Sequence, residues 1–160
     1  MAIQPGQRIP SVTLKVAGPD GIQDVKTDDL FAGKKVVLFA VPGAFTPTCS
    51  AKHLPGFVER ADEIRKKGAD AIVCLSVNDA FVMGAWGKDQ KVGGKVTMVA
   101  DGSAELTRAL GLELDGTKFG MGLRSQRYAA IVEDGVVKQL FVEQPMKFEV
   151  SSAENVLKHL

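Results

Sequence analysis

The chain has 160 residues, 45% of them hydrophobic and 24% charged, which suits one compact α/β domain over residues 1–160 with an ample core. Lys and Arg number 20 against 19 Asp and Glu, a formal charge of +1 with no block of like sign, which argues against a nucleic-acid partner. The longest apolar runs, at residues 36–41 and 71–77, are too short to span a bilayer, so no membrane association is expected.

The opening Met1-Ala2-Ile3-Gln4-Pro5 lacks the charged and apolar regions of a secretory signal. An entry segment at residues 12–16 and a short helical turn near residues 28–31 lead to Lys35–Val41, which reads as a buried strand. Pro42-Gly43-Ala44-Phe45-Thr46-Pro47-Thr48 breaks that strand, and Cys49 opens an amphipathic helix over residues 49–67. Leu54, Phe57, Val58, Ala61 and Ile64 form its apolar stripe, and Gly68 ends it. Pro55 lies within this run and is expected to kink it or displace its first turn.

A strand at residues 71–77, a helix around Ala80–Asp89, a strand at 95–100 and a helix at 104–110 follow. Residues 128–132 and Val136–Val142 flank Glu133-Asp134-Gly135, a strong hairpin signal. A capping-box pattern, Ser151 with Glu154, then starts a last helix over residues 155–159. This order describes a thioredoxin-like layout with an insertion. Right-handed crossovers place Cys49, Asn78 and Asp79 together at the carboxyl edge of the sheet, where ligands usually bind. Gly120-Met121-Gly122 lacks the setting of a phosphate loop and reads as a flexible turn.

Cys49 and Cys74 form neither a disulfide framework nor a zinc quartet, and a reducing compartment is the natural reading. At a helix start Cys49 meets unpaired backbone N–H groups and the positive end of the helix dipole, both of which favour the nucleophilic thiolate. A dithiol C-x-x-C is excluded, because Thr46 occupies the first of those four positions. A hydroxyl three residues before an activated thiolate suits attack on a peroxide oxygen, leaving Cys49 as sulfenic acid. The developing oxygen charge calls for fixed donors such as backbone N–H groups and a guanidinium.

The run from Pro42 to Cys49, with its continuation Ser50-Ala51-Lys52-His53-Leu54-Pro55-Gly56-Phe57, resembles the active-site loop of the peroxiredoxins, in particular their type II branch. The likeness extends over Cys74-Leu75-Ser76-Val77-Asn78-Asp79, Ala100-Asp101-Gly102-Ser103 and Arg124-Ser125-Gln126-Arg127-Tyr128. It implies a thioredoxin-like fold with peroxiredoxin insertions, a central mixed sheet flanked by helices. It also implies reduction of hydrogen peroxide and alkyl hydroperoxides in antioxidant defence, with no metal, haem or flavin cofactor.

On matching positions, Cys49 corresponds to the peroxidatic cysteine and Thr46 to the hydroxyl that bonds the thiolate and the peroxide. Pro42 matches the proline that covers the thiolate. Arg127 aligns with the arginine that stabilises the thiolate and holds the peroxide, and Arg124 adds a supporting charge. The third cysteine of the mammalian atypical subgroup has no counterpart in Phe148-Glu149-Val150-Ser151-Ser152. Cys74, mid-strand among apolar neighbours, is the one internal candidate for a second thiol, and reads first as a core residue.

Recycling is therefore expected from outside, by glutathione with glutaredoxin or by thioredoxin. The family also implies a homodimer, and Trp86, Phe45 and Phe81 belong either to that contact or to the core. His53, four residues after Cys49, is expected at the surface or beside the site rather than on a metal. The cytoplasm is the expected location, with an organelle interior as the alternative. The final Lys158-His159-Leu160 is only faintly like a peroxisomal tripeptide, since Lys suits its first position poorly. A competing function is a non-catalytic peroxide sensor that signals through Cys49 oxidation without turnover.

Overall fold

The computed structural model describes residues 2–160. A hairpin of β1 (Thr13–Gly18) and β2 (Gly21–Lys26) precedes α1 (Thr27–Phe31) and the central strand β3 (Lys35–Val41). A π-helical turn (Cys49–His53), α2 (Leu54–Glu59) and α3 (Ala61–Lys66) lead to β4 (Ala71–Ser76), α4 (Ala80–Asp89), β5 (Thr97–Ala100) and α5 (Glu105–Leu110). A second hairpin, β6 (Glu113–Gly116) and β7 (Gly122–Ser125), encloses a 3-10 turn at Thr117–Phe119. The chain closes with β8 (Tyr128–Glu133), β9 (Val136–Val142) and α6 (Ala153–His159).

Seven strands make one mixed sheet in the order β2-β1-β5-β4-β3-β8-β9. β3, β4 and β5 run parallel, and the outer strands pair antiparallel. This is the thioredoxin-like arrangement that the order of elements implies.

β3 carries no polar residue after Lys35 because both of its faces are covered. Its alternation sends Val37, Phe39 and Val41 into a core with Cys49, Leu54, Phe57, Ile64 and Trp86. Val36, Leu38 and Ala40 enter a second core on the opposite face, with Phe31, Leu106, Leu110 and Tyr128. At the β8–β9 turn Asp134 (φ +48°) and Gly135 (φ +80°) are both left-handed, as a tight hairpin turn requires.

The long helix expected over residues 49–67 is broken twice. In an α-helical register Pro55 has no N–H to give the carbonyl of Ala51 and its ring would strike that carbonyl. The backbone widens before it, so that the Leu54 N–H reaches back to the Cys49 carbonyl across a π-turn. A second interruption falls at Arg60, between α2 and α3.

The expected capping box is displaced by one residue. Ser152, not Ser151, caps α6, accepting from the Asn155 N–H at 3.1 Å. The N–H and hydroxyl of Ser151 are engaged by Glu143 instead. The helix expected from residue 104 begins at Glu105, since Ala104 is left-handed at φ +57°, and the strand expected from residue 95 begins at Thr97. Gly120-Met121-Gly122 is not a free turn: it joins the 3-10 turn to β7.

Candidate active site

Cys49 lies where β3 gives way to the helix, and its side chain is fully buried. Pro47 and Thr48 are already helical, with Pro47 suited to a first helical position because its missing N–H would have had no partner there. The Thr46 carbonyl accepts the Ser50 N–H at 2.9 Å, which starts the helix. Ahead of it the loop is compact. The Thr46 hydroxyl donates to the Gly43 carbonyl at 2.7 Å, and Phe45 is held at φ +63°. No hydrogen bond joins the Thr46 hydroxyl to Cys49 among the described residues.

Two neighbouring elements brace this loop. From the end of β4, Asn78 Oδ1 accepts the Ala44 N–H at 2.9 Å and the Ser76 hydroxyl at 2.5 Å. From β7, Arg124 donates to the carbonyls of Val77 at 3.1 Å and Met121 at 3.0 Å. A Cβ placed on Gly43 would come within 3.2 Å of both Arg124 Nη1 and Thr46 Cγ2, so only glycine fits between them without displacement. Arg124 thus supports the loop without bonding the sulfur. Pro42 is half-buried at the loop entrance.

Arg127 is 78 residues from Cys49 in sequence, yet its Nη2 donates to Cys49 Sγ at 3.1 Å. The short link between β7 and β8 delivers it to the carboxyl edge. A permanently charged donor at that distance stabilises negative charge on sulfur. Its other terminal nitrogen, Nη1, donates to His53 Nδ1 at 2.9 Å, and His53 Nε2 donates to the Ser151 carbonyl, also at 2.9 Å. Since a guanidinium can only donate, this pattern requires the neutral imidazole with its proton on Nε2.

Burial, followed by the Arg127 charge, lowers the His53 pKa from 6.5 to about 3, outweighing the opposing effect of its bond to Ser151. The rings of Phe39, Phe57 and Phe148 enclose the imidazole, and Phe148 also lies 5.9 Å from the Arg127 guanidinium carbon. Both ring nitrogens are engaged, so His53 has none free to bind a metal.

Cys74 sits in β4 opposite Phe39 and Met98 and is also fully buried. Burial pushes its thiol pKa well up, with repulsion from Cys49 adding to it and Arg127 opposing. It shares the apolar core that holds Cys49. Trp86 belongs to that core too, and its indole N–H donates to the Ser50 hydroxyl at 3.0 Å. Phe45 tilts against Trp86 but is itself exposed, as are Phe81 and Phe119.

Sequence reasoning set Cys49, Thr46 and Asn78 at this end of the sheet, where the structure has them. It named Arg124 and Arg127 only by resemblance, set His53 at the surface or beside the site without its bridge to Arg127, and missed the Glu143–Ser151 contacts behind it. The spacing of Cys49 and His53 carried a signal, since residues four apart on a helix share a face. Nothing local marks Glu143, whose partners lie six and eight residues away along an irregular segment.

A family model described as Redoxin matches residues 4–157. Among curated proteins, peroxiredoxin-2E-2, chloroplastic, of Oryza sativa subsp. japonica is 54% identical over 97% of this chain and 71% of its own length. Among solved structures, reduced Prx3 of Vibrio vulnificus in complex with H2O2 is 55% identical with a TM-score of 0.95, covering 98% of each chain. The Plasmodium falciparum antioxidant protein, a 1-Cys peroxiredoxin, is 31% identical with a TM-score of 0.92, covering 98% of each chain.

Proposed function

This chain belongs to the peroxiredoxins, within the redoxin family, and on that premise we propose that Cys49 is its peroxidatic thiol, recycled by an external thiol donor. Peroxiredoxins are thiol-dependent peroxidases, and that is the activity of this protein. The single observation that carries the assignment to Cys49 is the 3.1 Å bond from Arg127 to its sulfur. In this reading the Cys49 thiolate attacks one peroxide oxygen, the O–O bond breaks, and the departing oxygen takes a proton to leave as water or alcohol. Cys49 is left as sulfenic acid.

Arg127 holds charge on the sulfur and on the peroxide, and the Thr46 hydroxyl, its own proton given to Gly43, offers an oxygen to the peroxide proton. Pro42 screens the entrance, and Arg124 keeps the loop in shape.

An external donor is supported by the setting of Cys74. Its buried, un-ionised thiol makes a poor partner for a sulfenic acid, since the thiolate is the species that attacks. The 1-Cys relative from Plasmodium falciparum is consistent with such a scheme. Glutathione with glutaredoxin, or thioredoxin, then supplies two thiols: one displaces water from the sulfenic acid to form a mixed disulfide, and the second releases Cys49.

Exposed Phe45 on the active-site loop, Phe81 in the first turn of α4 and Phe119 in the 3-10 turn are apolar side chains that suit a homodimer contact. Two free thiols favour a reducing compartment, whether cytoplasm or organelle interior, and the rice relative is a chloroplast protein. Steady-state peroxide consumption with each reductant in turn tests the scheme. Cys49→Ser is expected to abolish turnover and Cys74→Ser to retain most of it. Parental turnover by Cys49→Ser refutes the assignment, and near-complete loss in Cys74→Ser refutes the external-donor scheme.

A further inference from the structure

We propose that Glu143 is a positioning residue for the Arg127 guanidinium, acting through Ser151 and His53. The argument is a closed ring of hydrogen bonds. The Glu143 N–H donates to the main-chain carbonyl of Arg127 itself at 3.0 Å. Its carboxylate oxygen Oε2 accepts the N–H of Glu149 at 2.7 Å, the N–H of Ser151 at 2.9 Å and the hydroxyl of Ser151 at 2.7 Å. The Ser151 carbonyl then accepts from His53 Nε2, and His53 Nδ1 accepts from Arg127 Nη1. Starting from the backbone of Arg127, the ring returns to its side chain, and the other terminal nitrogen, Nη2, is left on Cys49.

Glu143 is only 7% exposed, and a buried carboxylate persists only where donors converge on it. What it gathers is a strap, residues 144–150, with little packing of its own. Gln144, Pro145, Met146, Lys147, Glu149 and Val150 are all exposed, Met146 to 94%, and Phe148 alone turns in, against His53 and Arg127. Without the carboxylate, the strap loses three of its anchors, and the Ser151 carbonyl that orients the imidazole loses its fixed place. The imidazole then no longer presents Nδ1 to the guanidinium at a set angle.

This inference rests on the reading of Arg127 as the residue that serves Cys49 and the peroxide. The test is the second-order rate constant with hydrogen peroxide, measured by competition against a peroxidase of known rate. The variants are Glu143→Gln and Glu143→Ala, each alone and combined with Arg127→Gln. Glu143→Ala alone is expected to lower the constant about tenfold, and the isosteric Glu143→Gln less, as one acceptor oxygen survives. With Arg127 already replaced, neither should cost more than about twofold.

Equal losses in the two backgrounds, or no loss from Glu143→Ala alone, overturn the proposal. Should Glu143→Ala not fold, Ser151→Ala replaces it, removing one hydroxyl bond. It carries an expected loss of about threefold and the same dependence on Arg127. A parental rate in Arg127→Gln alone refutes the reading of the site. A slow Arg127→Gln enzyme beside an unimpaired Glu143→Ala enzyme refutes this inference and leaves that reading standing.

Discussion

Mild acid should weaken this protein through His53, and the size of the effect follows from its surroundings. Burial first, and the adjacent Arg127 second, lower its pKa from 6.5 to about 3. In the unfolded chain the imidazole takes a proton below about pH 6.5, whereas in the folded protein it stays neutral until about pH 3. Unfolding therefore binds a proton throughout that window, and stability falls as pH falls across it, by about 1.4 kcal/mol per pH unit. Above about pH 7 the group adds no pH dependence.

Between about pH 7 and pH 5 the loss amounts to about 2 kcal/mol, or about 4–8 °C in Tm for a chain of this size. Carboxylates held below their usual range add their own losses only at lower pH, below about 4.5. Thermal unfolding followed by circular dichroism at several pH values measures the slope. His53→Gln is the control, because its amide can accept from Arg127 and donate to Ser151 without titrating. The parent should lose about 2 kcal/mol more than this variant between pH 7 and 5. Parallel curves for the two proteins would refute the account of a buried neutral imidazole.

Two further outcomes are expected from packing. Tyr128 is buried with no hydrogen-bond partner for its hydroxyl among the described residues, and burial, then repulsion from Asp101, pushes its pKa up. Tyr128→Phe should stabilise the fold by about 1 kcal/mol, read as a rise in Tm of about 2–4 °C. Peroxidase activity should be unchanged, because the ring lies in the core on the sheet face opposite Cys49; a lower Tm contradicts the assignment of an orphaned hydroxyl. At Gly84 on α4 an added Cβ would stand 2.8 Å from the Cβ of Ala17 on β1. Gly84→Ala should therefore cost about 1–3 kcal/mol in urea unfolding, and an unchanged midpoint contradicts the close helix–strand contact.

Much of this fold is legible in its apolar periodicity. β3, β4, β8 and β9 announce themselves because burial on one or both faces demands runs such as Val36 to Val41. β2 did not, because Gly21-Ile22-Gln23-Asp24-Val25-Lys26 is an edge strand, mostly exposed, with weak alternation. The hairpin of β6 and β7 escaped because each of its four-residue strands carries a single apolar side chain, Leu114 and Leu123.

The break in the long helix was half visible, since Pro55 warned of a fault without saying that the turn would widen rather than kink. Ser151 satisfied the capping pattern but is withheld from that role by Glu143, a partner that no local rule can find. In the site, Cys49 and Thr46 were readable because a local turn sets them. Arg127, His53 and Glu143 meet only through tertiary folding, so chemistry alone could ask for a guanidinium without naming its position.

The chain contains one tryptophan, Trp86, and its indole N–H bonds the hydroxyl of Ser50, the residue directly after Cys49. With Phe45 tilted against it at 6.4 Å, this fluorophore touches both the loop and the first helical turn. On the proposed chemistry of Cys49, a rearrangement there as sulfur gains or loses oxygen alters the indole's hydrogen bond and polarity, which makes Trp86 a label-free optical gauge of that cycle in emission intensity and wavelength.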